Sequence, residues 1–210
     1  MAAARRSRLS TDVRREQLVA LGIEIFSDRP FDEVSIDAIA AAAGISKGLL
    51  YHYFPSKRDF YVAVIRSAAD EMQALTEPDP ALVPRERLAA ALERYLEYVE
   101  THARGYATVL RAGIGSDPAV AHIVEDVRGA MVERLLADLP VAAGADPPPP
   151  ALRVAVRGWV GFVEAASLDW LEHGGLGRAD LREMLVAALG GAVSAAAGAD
   201  PRVRPEPVAL

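Results

Sequence analysis

The stretch SIDAIAAAAGISKGLLYHYF, residues 35–54, is typical of two short helices that meet across a tight turn. Ser35 and Ser46 stand where helix N-caps are needed, because a serine hydroxyl accepts a hydrogen bond from a backbone N–H of the first turn. Gly44 suits the left-handed conformation that ends many helices, and Ala40 is small enough for close contact between the two helices. The stretch therefore predicts a helix-turn-helix whose angle is sealed by apolar side chains: Ile39, Ala43, Ile45, Leu50 and Tyr53.

The rest of the chain predicts an all-α protein of about nine helices. No strand-like alternation is found, and apolar residues recur with helical spacing in three long segments, residues 85–102, 117–139 and 151–173, which a last helix at 178–197 follows. Prolines at 147–150 cannot donate helical hydrogen bonds, so residues 141–150 predict an extended connection. The end of the chain, residues 201–210, predicts a flexible tail.

The composition fits a folded protein that stays in the cytoplasm. Of 210 residues, 51% are apolar and 25% are charged, and there is no cysteine for a disulfide or a thiolate metal site. The N-terminus lacks the apolar segment of a signal peptide, and the uncharged run 184–199 is too short and too weakly apolar to span a bilayer. The four histidines have no ligand-like spacing. We therefore predict no metal, no cofactor and no membrane association.

The charge is distributed unevenly along the chain. Residues 1–66 carry ten Lys/Arg against eight Asp/Glu, or +2, whereas residues 67–210 carry 13 against 21, or −8, which together make the net charge of −6. The N-terminal part also contains an arginine cluster (Arg5, Arg6, Arg8, Arg14 and Arg15) and both lysines of the chain. This asymmetry indicates an N-terminal part that faces a polyanion and an acidic remainder.

The second helix of the pair has the right shape to enter a DNA major groove. Its exposed face should offer Lys47, Gly48, Tyr51 and His52, with Leu49 at the border. Lysine reaches a guanine edge or a phosphate, and tyrosine and histidine donate to phosphate oxygens. The next helix starts after Pro55-Ser56, where an ammonium and a helix N-terminus together form a phosphate site. The alternative is an ordinary helical hairpin with a solvated charged face.

The segment FDEVSIDAIAAAAGISKGLLYHYFPSKRDFYVAVI, residues 31–65, resembles the DNA-binding region of the tetracycline-repressor (TetR) family of transcriptional regulators, above all in LLYHYFPSKRDF. The resemblance implies an N-terminal DNA-binding domain, residues 1–66, and a C-terminal domain for ligand binding and dimerisation, residues 67–200. Leu49 departs from the family pattern, where threonine is frequent. The residues expected at the DNA are Ser35, Ser46, Lys47, Gly48, Leu49, Tyr51, His52 and Lys57.

The C-terminal helices contain aromatic residues on faces that should point inward. Aromatic side chains with a polar tip suit ligand sites because they offer both area and a hydrogen bond, although core packing explains any one of them equally well. We expect a small hydrophobic or aromatic effector to bind among Tyr95, Tyr98, Tyr106, Trp159, Phe162 and Trp170. The small residues of 187–199 permit close helix approach, so the helices 151–173 and 178–197 predict a four-helix dimer interface.

These observations predict a dimeric repressor that binds a near-palindromic duplex operator and leaves it when the effector binds. One alternative is a helix-turn-helix DNA-binding protein without an inducer. A second alternative, a helical enzyme or carrier, is disfavoured because no catalytic constellation is found. The sequence GISKG, residues 44–48, matches the pattern G-x-S-x-G, but that motif requires a preceding strand and here follows a helix.

Overall fold

The computed structural model describes residues 2–112, 117–139 and 147–203, with side chains from Thr11 onward except Ala112. Within these ranges the chain forms nine α-helices, one short 3₁₀ turn at Phe31–Glu33 and no strand, which confirms the predicted all-α class. The helices are α1 Ala2–Asp28, α2 Ile36–Ala42, α3 Lys47–Tyr53, α4 Lys57–Leu75, α5 Pro84–Thr101, α6 Ala103–Ala112, α7 Pro118–Asp138, α8 Pro150–His173 and α9 Arg178–Ala199.

Prolines and glycines mark the ends of the long helices within a residue or two of the predicted limits. Pro84, Pro118 and Pro150 are the first residues of α5, α7 and α8, where a missing N–H removes no intrahelical bond. Gly174 and Gly175 follow α8 with φ angles of 64° and 83°, which a side chain would disfavour. These ends follow from local backbone chemistry and are therefore readable in the sequence.

The chain divides into two compact units. Unit 1 comprises residues 1–71 and 102–124, and unit 2 comprises residues 72–101 and 125–210. Unit 1 is discontinuous in sequence because α6 and the first residues of α7 pack with the N-terminal helices. The division into a DNA-binding domain at 1–66 and an effector domain at 67–200 is a functional one and stays a prediction.

The core of unit 1 is built by the first four helices around an aromatic centre. Phe60 is fully buried, and its ring lies 4.9 Å from that of Phe54 and 6.0 Å from that of Phe26. Gly22 of α1 faces the same centre, where an added Cβ would lie 2.4 Å from Val64 Cγ2 and 2.7 Å from Phe60 Cζ. α1 and α4 therefore approach this closely only because residue 22 has no side chain.

The start of α7 is attached to the start of α4 within unit 1. Asp117 Oδ1 accepts a hydrogen bond from the backbone N–H of Ala119 at 2.9 Å, as an N-cap does. The Arg58 guanidinium donates to both oxygens of the same carboxylate, at 2.6 and 2.7 Å. Hydrogen bonding to Arg58 lowers the pKa of Asp117, so the pair remains charged at neutral pH.

Unit 2 contains a second core, to which α5, α8 and α9 each contribute an inward row of aliphatic side chains. These rows include Leu92, Leu96 and Val99 of α5, Leu152, Val156, Val160 and Val163 of α8, and Leu181, Leu185, Leu189 and Val193 of α9. On α7, Arg128 donates to both oxygens of Glu164 of α8 at 2.8–3.1 Å. Both side chains are mostly buried, so the pair fixes α7 against α8.

By length and composition alone, α9 could cross a membrane, because an 18-residue window within it has a mean hydropathy of 1.2. The uncharged part of α9, residues 184–199, is shorter than this window. One third of that apolar window is buried within the protein. Beyond α9, residues 201–203 form a turn in which Val203 is buried. The predicted tail otherwise lies outside the described residues, as do residues 141–146 of the predicted extended connection.

Candidate nucleic-acid interface and apolar cavity

The turn between α2 and α3 has the geometry that the sequence predicts. Ser35 Oγ accepts from the N–H of Ala38 at 3.1 Å, and Ser46 Oγ accepts from the N–H of Leu49 at 3.2 Å. Gly44 adopts a φ of 65°, and its N–H and that of the next residue bond back to the carbonyls of residues 41 and 40. This is a Schellman motif, in which N–H groups of the turn pair with the last carbonyls of the helix.

The predicted apolar seal is confirmed. Ile39 and Leu50 are fully buried, and Ala43, Ile45 and Tyr53 pack against the same core. One side of α3 is thereby fixed to unit 1, and its orientation is set by packing rather than by the seven-residue helix itself.

The other side of α3 faces solvent. Lys47, Gly48, Leu49, Tyr51 and His52 are all exposed, Leu49 to 39% and Tyr51 to 41%. An isolated apolar side chain on a surface needs no explanation, but here a leucine and a tyrosine lie beside a lysine and a histidine on one face. That combination offers hydrogen-bond donors, a cation and apolar contact surface, which suit base edges and phosphates.

Lys47 already has a partner, which the sequence analysis did not identify. Its Nζ donates to Asp37 Oδ2 at 3.0 Å, across the turn from α3 to the first turn of α2. The hydrogen bond with Asp37, followed by the attraction of its charge, raises the pKa of Lys47, so the lysine is a cation at every physiological pH. The pair is exposed, so a phosphate oxygen of bound DNA would compete directly with Asp37 for the ammonium.

Two further cations of unit 1 lie over aromatic rings. Lys57, at the start of α4, has its Nζ 4.0 Å from the centre of the Phe31 ring. Arg15 of α1 has its guanidinium carbon 5.0 Å from the centre of the Phe54 ring. Such cation–π contacts orient a charged group while it remains accessible. The side chains of Arg5, Arg6 and Arg8 lie outside the described residues, so the predicted arginine arm has no structural description.

We predict that Asp37→Asn strengthens binding to non-operator duplex DNA, on which Lys47 meets phosphates and no specific base edge. The change removes a carboxylate beside the exposed face of α3 and frees Lys47, so one more phosphate is neutralised and the slope of log K against log salt steepens by about 0.9. Fluorescence anisotropy over a salt series measures the slope. Asp70→Asn, an equal charge change at an exposed position of α4, is the matched control. Weaker binding by Asp37→Asn would instead mean that Asp37 orients Lys47 for its DNA contact.

Unit 2 contains a partly open cavity between its helices. Its volume is about 90 Å³, although sixteen residues from α5, α7, α8, α9 and the segment 76–84 line it. The inner wall is aliphatic and aromatic and includes Leu92, Tyr95, Met131, Trp159, Val163 and Leu189. Charged side chains also line it: Arg87, Arg134 and Asp138. Its mostly apolar walls resemble those of small-molecule sites, although its volume is below the roughly 300 Å³ at which such sites usually begin.

The structure brings together two of the six predicted ligand-binding residues, Tyr95 and Trp159. Tyr98 is buried without lining the cavity, and Trp170 lines a separate open groove of about 670 Å³. Phe162 is 42% exposed, because it lies one residue, or about 100° of helix rotation, before the buried Val163. Tyr106 belongs to α6 in unit 1. The six aromatics therefore do not all line this cavity, and a ligand site among them stays a prediction.

The charged residues of the cavity were missed by the sequence analysis. Arg87 and Asp138 are 51 positions apart, and no local pattern connects them. Part of the apolar lining can be predicted from the sequence, because Leu88, Leu92 and Tyr95 share one predicted face of α5.

The fold and the exposed face of α3 define a helix-turn-helix protein of the transcription-regulator class, and comparisons identify the family. A family model described as "Bacterial regulatory proteins, tetR family" matches residues 18–64, and one described as "Tetracyclin repressor-like, C-terminal domain" matches residues 84–190, half of the chain. The chain therefore belongs to the tetracycline-repressor family of transcriptional regulators.

Individual relatives agree with this assignment. A tetR-family transcriptional regulator from Streptomyces coelicolor, known as a crystal structure, has a TM-score of 0.83 and 34% identity over 90% of this chain and 84% of its own. The transcriptional activator FasR of Mycolicibacterium smegmatis is 37% identical over 123 residues, 56% of this chain and 54% of its own length. The regulator EthR of Mycobacterium tuberculosis is 35% identical over 88 residues, 40% of each chain. The chain thus spans about half the length, or less, of the curated relatives it matches.

Proposed function

We propose that this protein is a homodimeric repressor that binds a near-palindromic operator and loses affinity for it when a small, largely apolar effector occupies the cavity of unit 2. The observation that carries the proposal is the exposed face of α3, on which Lys47 lies. Ser35 caps α2, Ser46 caps α3, and the buried Leu50 fixes α3 to the core of unit 1. We further propose that the protein acts in the cytoplasm, where binding of the effector releases it from the operator.

Binding sites selected from random duplex DNA test the first half of the proposal. Two recognition helices of a dimer meet successive major grooves about 34–36 Å apart or at a larger multiple, so the selected sites should be near-palindromes. Selection of sites without twofold symmetry would contradict the dimeric model, and no selection at any salt concentration would contradict sequence-specific binding. An operator that binds but responds to no ligand would favour the alternative of a helix-turn-helix protein without an inducer.

The proposed dimer interface is the outer face of α8 and α9. Three large apolar side chains are exposed there, Val154 to 62%, Phe162 to 42% and Met184 to 43%. Between them lie small exposed residues: Gly158, Ala165, Ala187, Gly191 and Ala195. A second copy packed on this face would cover the large side chains, and the small residues would allow the helices to approach closely.

We propose that Lys57 contacts a phosphate and thereby positions the protein on DNA, but contacts no base. Lys57→Ala should weaken binding to all sequences alike and reduce the salt slope by about 0.9, because one phosphate contact is lost. Lys57→Arg retains the charge and should retain the slope. Lys47→Ala and His52→Ala should instead change the preference among operator variants. Equal effects of the alanine changes at 57 and 47 across variants would show that the two lysines do not divide positioning from readout.

A further inference from the structure

A segment without helix or strand forms part of the wall of the cavity in unit 2. This strap, residues 76–83, connects α4 to α5, and its residues Thr76 and Pro78 line the cavity. Thr76 is the one buried residue of the strap, Pro78 and Leu82 are half-buried, and the other five residues are exposed. The strap therefore adds few buried apolar contacts to unit 2, and segments of that kind open locally at low cost in free energy.

Three arginines hold the strap near both of its ends. Arg87 Nη2 donates to the carbonyl of Leu82 at 3.0 Å, and Arg94 Nη2 donates to the carbonyl of Glu77 at 3.0 Å. Arg134 Nη1 donates to a carboxylate oxygen of Glu77 at 3.2 Å. The first two arginines belong to α5 and the third belongs to α7, and both helices line the cavity. Charged hydrogen bonds to the strap thus take the place of a buried core.

The cavity is too small for a typical ligand while the strap is in place. Its volume of about 90 Å³ is below the roughly 300 Å³ at which small-molecule sites usually begin, so a wall must move before such a ligand enters. The helical walls are fixed to one another, because α5, α8 and α9 share the aliphatic core of unit 2 and Arg128 of α7 pairs with Glu164 of α8. The strap is the part of the described wall that has no such core.

We propose that the strap controls access to the cavity of unit 2: it moves away from α5 and α7 to admit a ligand, and Arg87, Arg94 and Arg134 hold it closed. Opening breaks the hydrogen bonds of these guanidiniums to the strap and leaves the helices in place. That the admitted molecule is the effector rests on the proposed function, whereas the opening itself is a property of unit 2 alone.

The closed strap also has an unfavourable feature. The Nε–H groups of Arg87 and Arg94 are buried and have no hydrogen-bond partner among the described residues. A buried donor of a charged group that is left unpaired is costly, and water would pair it once the strap moves away from the guanidinium. Opening is therefore less costly than the loss of the hydrogen bonds alone would make it.

Labelling of a buried thiol with iodoacetamide tests the proposal on the full chain. The sequence has no cysteine, so Val163→Cys places a single thiol in the cavity wall, and Val193→Cys places one in the core of unit 2 outside the lining. Both valines are almost fully buried, so each thiol reacts only when the protein opens. Relative to the unfolded chain, we expect the Val163→Cys thiol to react at least about 10-fold faster than the Val193→Cys thiol. Equal rates would mean that the cavity opens only with the whole unit, and would overturn the proposal.

Removal of one arginine then identifies the strap as the part that moves. Arg94→Gln should speed the labelling of the Val163→Cys thiol about 3–10-fold, because one hydrogen bond of the closed strap is lost, and should leave the Val193→Cys thiol unchanged. Arg94 does not line the cavity, so the change leaves the lining intact. Arg85→Gln is the matched control and should change neither rate, because Arg85 is also on α5 but donates to Glu183 of α9.

A second variant, Arg134→Gln, removes the contact that α7 makes with the strap and should have the same effect as Arg94→Gln. It decides alone if Arg94→Gln does not fold. Acceleration by neither variant, or equal acceleration of both thiols, would overturn the proposal. The labelling uses neither DNA nor an effector, so its failure would leave the proposed function intact. A search in which no small molecule releases the operator would refute the effector role and leave the strap.

Discussion

Gly191→Glu is expected to give a folded monomer whose affinity for a two-half-site operator is lower by about 10²–10⁴-fold, the gain that linking two binding modules supplies. Gly191 is exposed on α9, and among the residues that the structure describes, no atom beyond its own turn of helix lies within 4 Å of an added Cβ. Glutamate is also the better helix former by up to about 1 kcal/mol, so the monomer should not lose stability. In the proposed dimer the same carboxylate would be buried against an apolar face without a partner.

The measurements are light scattering for mass, circular dichroism for folding and anisotropy for operator binding. Gly129→Glu is the matched control, since Gly129 is also in a helix of unit 2 with open space around its Cβ but lies on α7, outside the proposed interface. The control should remain dimeric with unchanged affinity. A Gly191→Glu protein that is still a dimer would place the interface elsewhere.

Phe60→Ala should lower the free energy of unfolding of unit 1 by about 3–5 kcal/mol, the range for removing a fully buried phenylalanine. The ring is completely inaccessible and contacts those of Phe54 and Phe26, so the change loses apolar burial and two aromatic pairs and leaves a cavity. Because such a loss is a large share of the stability of a typical domain, operator binding should fail at moderate temperature.

Urea unfolding followed by far-UV circular dichroism measures the loss. Both tryptophans are in unit 2, so their fluorescence reports that unit while the dichroism reports both. Tyr51→Ala is the control within unit 1, because Tyr51 is 41% exposed and its removal should change stability by no more than about 0.5 kcal/mol. A loss below about 1 kcal/mol for Phe60→Ala would mean that Phe26, Phe54 and Val64 collapse into the space.

The residues that line the cavity can be predicted only in part from the sequence. Helical periodicity correctly predicts that Leu88, Leu92 and Tyr95 share a face, since that depends only on 3.6 residues per turn. Periodicity within one helix says nothing about the neighbour that this face meets. Residue type alone groups Tyr106 and Trp170 with Trp159, although Tyr106 lies in α6 and Trp170 lines a separate groove. Residue type alone is a weak guide to a site, because aromatics also fill cores.

The helix-turn-helix and its exposed face can be predicted from local sequence alone. Ser35, Gly44 and Ser46 act on backbone groups within a few positions of themselves, so their spacing is enough to specify two caps and a turn. The apolar positions between them then fix which side of α3 is buried, and the remaining side must face solvent.

Contacts between residues that are far apart in the sequence depend instead on how the helices pack. The pairing of Lys47 with Asp37, the position of Lys57 over Phe31 and the contact of Arg87 with Asp138 each join different elements. The close approach at Gly22 likewise depends on the rotation of α1 against α4. Such contacts follow from the relative rotation and separation of packed helices, where one residue changes direction by about 100°, and no short stretch of sequence carries that information.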